Sequence, residues 1–140
     1  MTLSSTPDDA LAHAVTEGGL RMEHHQTTLA KLAIADNVYY KTLLARESSN
    51  VTESHLSEKT HALVRLGALV GTDAASPGYM WAVESARRQG ATADEIVGCL
   101  VAALPAVGVA RIVSAAPKLA LALGWDVSSA FEDNAAEPQD

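Results

Sequence analysis

The chain of 140 residues has a formal net charge of −7, with 10 Lys and Arg against 17 Asp and Glu. Because binding to a phosphate backbone needs a cationic surface, this balance argues against nucleic acid as a partner. Hydrophobic residues make up 48% of the chain but aromatic residues only 4%, so its apolar content is mostly Ala, Leu and Val. Such residues favour close-packed helices over strands, and the composition therefore predicts an all-α protein.

Neither a disulfide nor a membrane segment is expected. Cys99 is the single cysteine, which excludes an intrachain disulfide and a C-x-x-C pair. The first ten residues lack the basic and apolar regions of a signal peptide. The longest apolar stretch, about residues 96–109, is interrupted by Pro105 and Gly108 and is too short to span a bilayer. We expect a cytoplasmic protein with no membrane partner.

The N-terminal third carries three helical patterns. Residues 1–6 are polar and are expected to be disordered. Thr6, Pro7 and two acids then predict a helix start, and this helix ends before Gly18. A second pattern covers residues 20–34, and a third covers residues 38–46. The polar residues 47–57 indicate a linker.

Stronger helix signals follow this segment. Leucines on one face predict a helix that Gly71 closes, and Ser76-Pro77 opens the next helix, which ends at Gly90. Thr92 and Glu95 form a capping box at the start of a long apolar helix. Pro105 is expected to bend or end that helix, and Pro117 to restart a final helix that reaches Gly124.

We expect one all-α domain over residues 7–126, with six to eight helices, and an acidic C-terminal tail over residues 127–140. The helices from Ile96 to Leu123 are apolar around much of their circumference. A monomer of this size would leave part of that surface exposed, so the pattern predicts a homo-oligomer.

Three stretches resemble the carboxymuconolactone decarboxylase family, which includes the alkyl hydroperoxidase D-like proteins. They are LSEKTHALVRLGALVG (56–71), ARRQGATADEIVGCL (86–100) and AVGVARIVSAAPKLALALGWD (106–126). The resemblance implies an alkyl hydroperoxidase D-like helical bundle that assembles as a homotrimer or homohexamer. It also implies action on a small organic acid or cyclic metabolite without a cofactor.

The residues that give this family its chemistry are absent. Its redox members use C-x-x-C with a His four residues after the second Cys, and counting back from Gly90 puts those places at Ala75, Gly78 and Ala82. A thiol peroxidase needs an attacking thiolate and a resolving thiol, so this activity is not expected. Cys99 is interpreted as a small buried hydrophobe. The decarboxylase members keep the His as proton donor, and Ala82 replaces it.

Catalysis would therefore need replacement groups. The candidate residues are Glu58, His61, Tyr79, Glu84 and Arg111. On a polar helix face, His61 is expected to be solvated. Tyr79 is expected in the core, with its hydroxyl bonded to the backbone. Arg111 is either a carboxylate clamp or a member of a structural ion pair.

A ligand pocket is predicted beside the helix that carries Tyr79, Ala82 and Val83, where the missing groups would leave an apolar hollow. On another stripe of the same helix, Trp81 could stack on Arg88 or anchor a neighbouring subunit. The adjacent pair His24-His25 points to different sides of a helix, so no metal site is predicted.

Two functions remain open at this point. One is a carboxymuconolactone decarboxylase-like protein that binds or acts on a small organic acid or cyclic metabolite without thiol redox chemistry. The other is a non-catalytic binding or accessory protein that keeps the fold and has lost the active-site residues.

Overall fold

The computed structural model describes residues 21–127 and residue 132. This part of the chain contains seven α-helices and no strand, which confirms the all-α prediction. The helices are α1 (His24–Ala33), α2 (Asn37–Ala45), α3 (Glu47–Ser54), α4 (Glu58–Gly71), α5 (Ser76–Arg88), α6 (Ala93–Val107) and α7 (Val109–Ala122). The segment predicted to be disordered, the first predicted helix and nearly all of the predicted tail lie outside the described residues.

The internal contacts divide the chain into two units, Met1–Glu53 and Ser54–Asp140. In the first unit, none of the described residues is buried, and α1 and α2 leave large apolar side chains such as Leu29 and Leu44 exposed. The single domain expected over residues 7–126 stays a prediction.

The segment predicted as a linker is helical in its first eight residues, so that interpretation was wrong for α3. Its polar side chains bond to the backbone of the same helix or of its neighbour. The Thr52 hydroxyl donates to the Ser48 carbonyl, and the Asn50 amide donates to the Leu43 carbonyl at the end of α2. Because α3 buries none of its residues, it has no apolar stripe that would reveal it in the sequence.

The second unit is a bundle of four helices, α4 to α7. The principal packing pairs are α4 with α5, α4 with α6, α5 with α7, and α6 with α7, and α4 also contacts α7. Its largest fully buried side chains are Leu66, Val70, Tyr79, Val83, Ile96 and Leu119. Each Å² of apolar surface that folding removes from water stabilises the protein by about 25 cal/mol. This core is therefore the main source of the unit's stability.

The capping box is confirmed: the Thr92 hydroxyl accepts from the Glu95 amide, and the Glu95 carboxylate accepts from the Thr92 amide. Pro105 was expected to bend or end its helix, and it does not end it, because α6 continues to Val107 and is capped by Gly108 with φ 84°. The prediction for Pro117 needs correction. Pro117 does not restart a helix, because it lies inside a continuous α7.

A proline removes one helical N–H, and a helix survives that loss where tertiary packing holds both sides of it. In α7, Ala115 and Leu119 are buried on either side of Pro117. Within residues 21–127 no helix combines the length and apolarity needed to cross a bilayer.

Candidate functional site

A short loop joins α4 to α5 and presents a carboxylate to α7. Asp73 lies in this loop with φ 53°, in the left-handed region that Asp tolerates better than most residues. The following residue, Ala74, donates its backbone N–H to the Leu69 carbonyl at the end of α4. The loop is therefore fixed to the helix that precedes it, with the Asp73 side chain directed toward α7.

Three side chains of α7 hold this carboxylate. The Ser114 hydroxyl donates to Asp73 Oδ1 over 2.6 Å, and Arg111 Nη1 lies 3.2 Å from Asp73 Oδ2. Lys118 Nζ lies 3.5 Å from Asp73 Oδ1 and donates to the Ala74 carbonyl over 2.9 Å. We call Asp73, Arg111, Ser114 and Lys118 the Asp73 cluster. Its side chains carry two positive charges and one negative charge.

The Asp73 cluster is open to solvent. The side chains of Asp73 and Arg111 are 41% and 46% exposed, and that of Lys118 is 26% exposed. The hydrogen bond from Ser114, the positive charge of Lys118 and then that of Arg111 hold the pKa of the Asp73 carboxyl below its ordinary value. The carboxylate is thus ionised at neutral pH, in an ion pair that water can reach.

Tyr79 lies one turn into α5 and is fully buried. The spacing of Tyr79, Ala82, Val83 and Ala86 predicts that they form one inward stripe of the helix, and all four are buried. The expected backbone partner of the Tyr79 hydroxyl is not found, because that oxygen has no hydrogen-bond partner among the described residues. Burial, and secondarily the negative charge of Asp73, raises the pKa of the phenol. Tyr79 is therefore neutral at physiological pH and within electrostatic reach of the Asp73 cluster.

The places of the family's thiols lie at the start of α5. Ala75 is the N-cap residue and offers no side-chain cap to the helix. A Cβ at Gly78 would meet Leu69 and Ala74 at ordinary contact distances of 3.8–3.9 Å, so the backbone leaves room there for a side chain. Ala82, at the place of the imidazole, is 2% exposed. By the count from Gly90, these three residues stand where the resemblance implies two thiols and an imidazole, and none of them carries such a group.

His61 lies elsewhere and in a different environment from the one predicted. It is 5% exposed, so its expected solvation is wrong. The reason is that α4 packs against three helices, which covers most of its circumference. Gly71 lies ten positions after His61 in α4, or about 15 Å along the helix axis. Arg111 therefore pairs with Asp73 just beyond one end of α4, whereas His61 lies near the other end.

The aromatic residue on the outer stripe of α5 has a different partner from the one predicted. The Arg65 guanidinium of α4 lies 4.4 Å from the ring centre of Trp81. The predicted stacking partner was Arg88, and the alternative, an anchor for a neighbouring subunit, stays a prediction. The stacking therefore ties α4 to α5, and Trp81 remains 41% exposed.

Cys99 is half-buried, in a contact between α4 and α6. Its thiol lies 3.6 Å from the Leu63 carbonyl and 3.5 Å from the Glu95 carbonyl. Burial, followed by the negative charge of Glu95, raises the pKa of this thiol. Since the thiolate is the reactive form, both effects make Cys99 a poor nucleophile.

A pocket of about 170 Å³ lies on another side of the bundle. Its lining residues are Val97, Leu100, Ala116, Leu119, Ala120, Leu123, Trp125 and Val127. We call it the apolar pocket. Tyr79, Ala82 and Val83, beside which a hollow was predicted, are no more than 2% exposed. A ligand pocket at those three residues stays a prediction.

Metal binding has no support in the described part of the chain, where no three His, Cys, Asp or Glu side chains come together. His24 is exposed, and its Nε2 lies 3.4 Å from the Thr28 hydroxyl. Glu58 and Glu84 are also exposed. None of these residues belongs to the Asp73 cluster.

The model of the carboxymuconolactone decarboxylase family matches residues 38–130, about two thirds of the chain. This protein therefore belongs to the carboxymuconolactone decarboxylase family. No curated protein and no solved structure matches it.

Sequence reasoning singled out Arg111 but missed its three companions. Arg111, Ser114 and Lys118 are polar residues at i, i+3 and i+7 of an otherwise apolar helix. This spacing puts them on one side of the helix and was a usable signal. The place of Asp73 in a loop gave no such signal.

Proposed function

We propose that this member of the carboxymuconolactone decarboxylase family binds or acts on a small organic acid or cyclic metabolite without thiol redox chemistry. The single observation that carries the proposal is that Arg111 already holds a carboxylate, that of Asp73, at 3.2 Å beside the start of α5. A guanidinium is the preferred side chain for recognition of a carboxylate. Arg111 is the clamp in this proposal.

Thiol chemistry is left out because its parts are missing. No sulfur stands at residues 75 and 78, and Cys99 has a raised pKa. A neutral thiol attacks peroxide slowly, and a lone cysteine has no resolving partner in the chain. We expect hydroperoxide consumption by the wild-type protein to equal that of Cys99→Ala. Consumption that Cys99→Ala abolishes would contradict this part of the proposal.

Tyr79 is the residue that could turn binding into catalysis. A neutral phenol can donate a proton to a carbanion-like product after loss of CO₂. Its hydroxyl is buried and forms no hydrogen bond with any of the described residues. His61 lies near the N-terminal end of α4 and has no role in this proposal.

The test uses a panel of small lactones and keto acids, with product analysis and calorimetric binding on the same samples. We expect binding that Arg111→Gln weakens at least about tenfold, as loss of a charge-assisted contact predicts. Arg88→Gln is the control, because Arg88 is an exposed arginine in the last turn of α5. Equal effects of the two substitutions, or no binding across the panel, would contradict the proposal.

Product formation that Tyr79→Phe abolishes supports an enzyme. The second candidate, a non-catalytic binding protein, is favoured by the apolar pocket. Its volume is close to that of cavities that take up one aromatic ring. Its lining side chains are all apolar except for the Trp125 indole, so it offers no acid, base or nucleophile. Binding without product by every panel member supports this second function.

Self-association is part of the proposal, as a homotrimer or homohexamer in the cytoplasm. Exposed apolar side chains at spacings of four and three follow one side of α6: Val97, Val101 and Leu104. Val101 is 69% exposed. A row of exposed apolar side chains of this kind is unusual on the surface of a monomer. We expect Val101→Lys to lower the native mass, while Asp94→Lys on the exposed first turn of α6 leaves it unchanged. A wild-type monomer would contradict this expectation.

A further inference from the structure

We propose that Arg111, Ser114 and Lys118 form a binding site for the carboxylate of a small organic acid, and that the Asp73 carboxylate is its built-in competitor. This inference rests on the proposed function, in which the ligand is an acid. It assigns the position of the acid group and explains what occupies that position in the free protein.

The three donors of α7 match the two oxygens of one carboxylate. Ser114 and Lys118 both face Oδ1 of Asp73, and Arg111 faces Oδ2. Donors on both oxygens fix the orientation of a carboxylate, in addition to the attraction between opposite charges. Any carboxylate that reaches this place from solvent can form the same three contacts.

The charges of the cluster leave it positive. Two cations face one carboxylate, on a chain whose net charge is −7. When an external carboxylate replaces that of Asp73, the number of ion pairs with Arg111 and Lys118 stays the same. The Asp73 side chain is then hydrated by solvent. With 41% of its side chain already exposed, Asp73 is desolvated only in part and can leave without a large penalty.

Attachment of Asp73 to the chain makes it a strong competitor. Because Asp73 is part of the same chain, its carboxylate is present at a high effective concentration and competes with any external acid for the site. If Asp73 occupies the site in at least nine tenths of the molecules, the apparent dissociation constant of an external carboxylate rises about tenfold. The wild-type protein would then respond only to acids that make further contacts.

The buried Tyr79 hydroxyl is an independent observation beside this site. It lacks a hydrogen-bond partner among the described residues, one turn after the start of α5. A buried hydroxyl without a partner is costly, and such groups in native proteins are often kept for a role.

The experiment removes the Asp73 carboxylate by substitution and supplies acetate as a free carboxylate. The full chain with Asp73→Ala is titrated with sodium acetate, and sodium chloride at equal ionic strength serves as the salt control. We expect acetate to raise the thermal midpoint of Asp73→Ala saturably, with an apparent affinity at least about tenfold above that of the wild type. Adding Arg111→Gln should abolish this gain. Asp94→Ala, which removes an exposed acid of α6, should respond like the wild type.

An acetate response of Asp73→Ala no greater than that of the wild type would overturn the inference, and so would a response that survives Arg111→Gln. If Asp73→Ala fails to fold without acetate, Asp73→Asn takes its place, because the amide keeps the size of the side chain and loses its charge. The proposed function is judged separately by the lactone and keto-acid panel on the wild type, which can succeed when acetate fails.

Discussion

One side of α7 presents Arg111, Ser114 and Lys118 to the loop before α5, whereas the other side lines the apolar pocket with residues such as Ala116 and Leu119. At 3.6 residues per turn, the two sets lie about 150° apart around the helix axis. The polar side is open to water and joined by exchangeable ion pairs. The apolar side belongs to the buried core.

This difference separates stability from ligand chemistry. Burial of apolar surface gives the bundle its free energy of unfolding, whereas an exposed ion pair adds little. Substitutions on the apolar side should therefore change stability, and substitutions on the polar side should change binding. The predictions below test that division, from the largest effect to the smallest.

The largest effect is expected at Leu119, which is 2% exposed and contributes to both the core and the apolar pocket. Leu119→Ala should lower the free energy of unfolding by about 2–5 kcal/mol, through lost burial and the cavity that it leaves. Urea denaturation followed by circular dichroism measures it. Leu121→Ala, two residues along and 61% exposed, is the control and should stay within about 0.5 kcal/mol of the wild type. Equal losses at both positions would contradict the packing described.

A gain in stability is expected for Tyr79→Phe. The phenol oxygen is buried without a hydrogen-bond partner in the described structure. Removing an unsatisfied polar group while keeping the ring should raise the free energy of unfolding by about 1 kcal/mol. The same denaturation experiment measures it. A loss of 1 kcal/mol or more would mean that the hydroxyl has a partner in the native protein.

The smallest effect is expected at Asp73 and depends on pH. Its pKa is lowered in the folded state from an ordinary value of 3.8. Its contribution to stability is therefore present above about pH 4 and is lost as the pH falls through the folded-state pKa. Thermal midpoints of the wild type and Asp73→Asn should differ at pH 7 and converge below pH 4. A gap that stays constant down to pH 3 would show that the charge of Asp73 is not what stabilises the loop.

Much of the bundle could be predicted from the sequence because its signals are local. The capping box at Thr92 and the proline at the start of α5 fixed two helix starts, and apolar spacing identified the inward stripe of α5. The prediction that Pro117 starts a new helix was wrong because packing on both sides of it outweighs one missing hydrogen bond. Helix α3 was missed because it buries no residue and therefore shows no apolar stripe.

The candidate site was harder to predict because it depends on contacts between distant residues. Asp73 and Ser114 are 41 positions apart in the chain, and no periodic pattern joins a loop residue to a helix. Arg111 was recognisable as a charge in an apolar stretch, but its partner was not. His61 was placed on the solvent side because one helix face was counted as buried, whereas α4 packs against three other helices.

The central claim is that a small acid binds on the polar side of α7, at the start of α5, without thiol chemistry. The most direct measurement is a titration of the uniformly ¹⁵N-labelled wild type with benzoate, followed by amide chemical shifts. The account predicts saturable shifts around Asp73, Ala74 and Ser114, which Arg111→Gln removes. Shifts confined to the apolar pocket, around Val97 and Trp125, or no shifts at all, would contradict it.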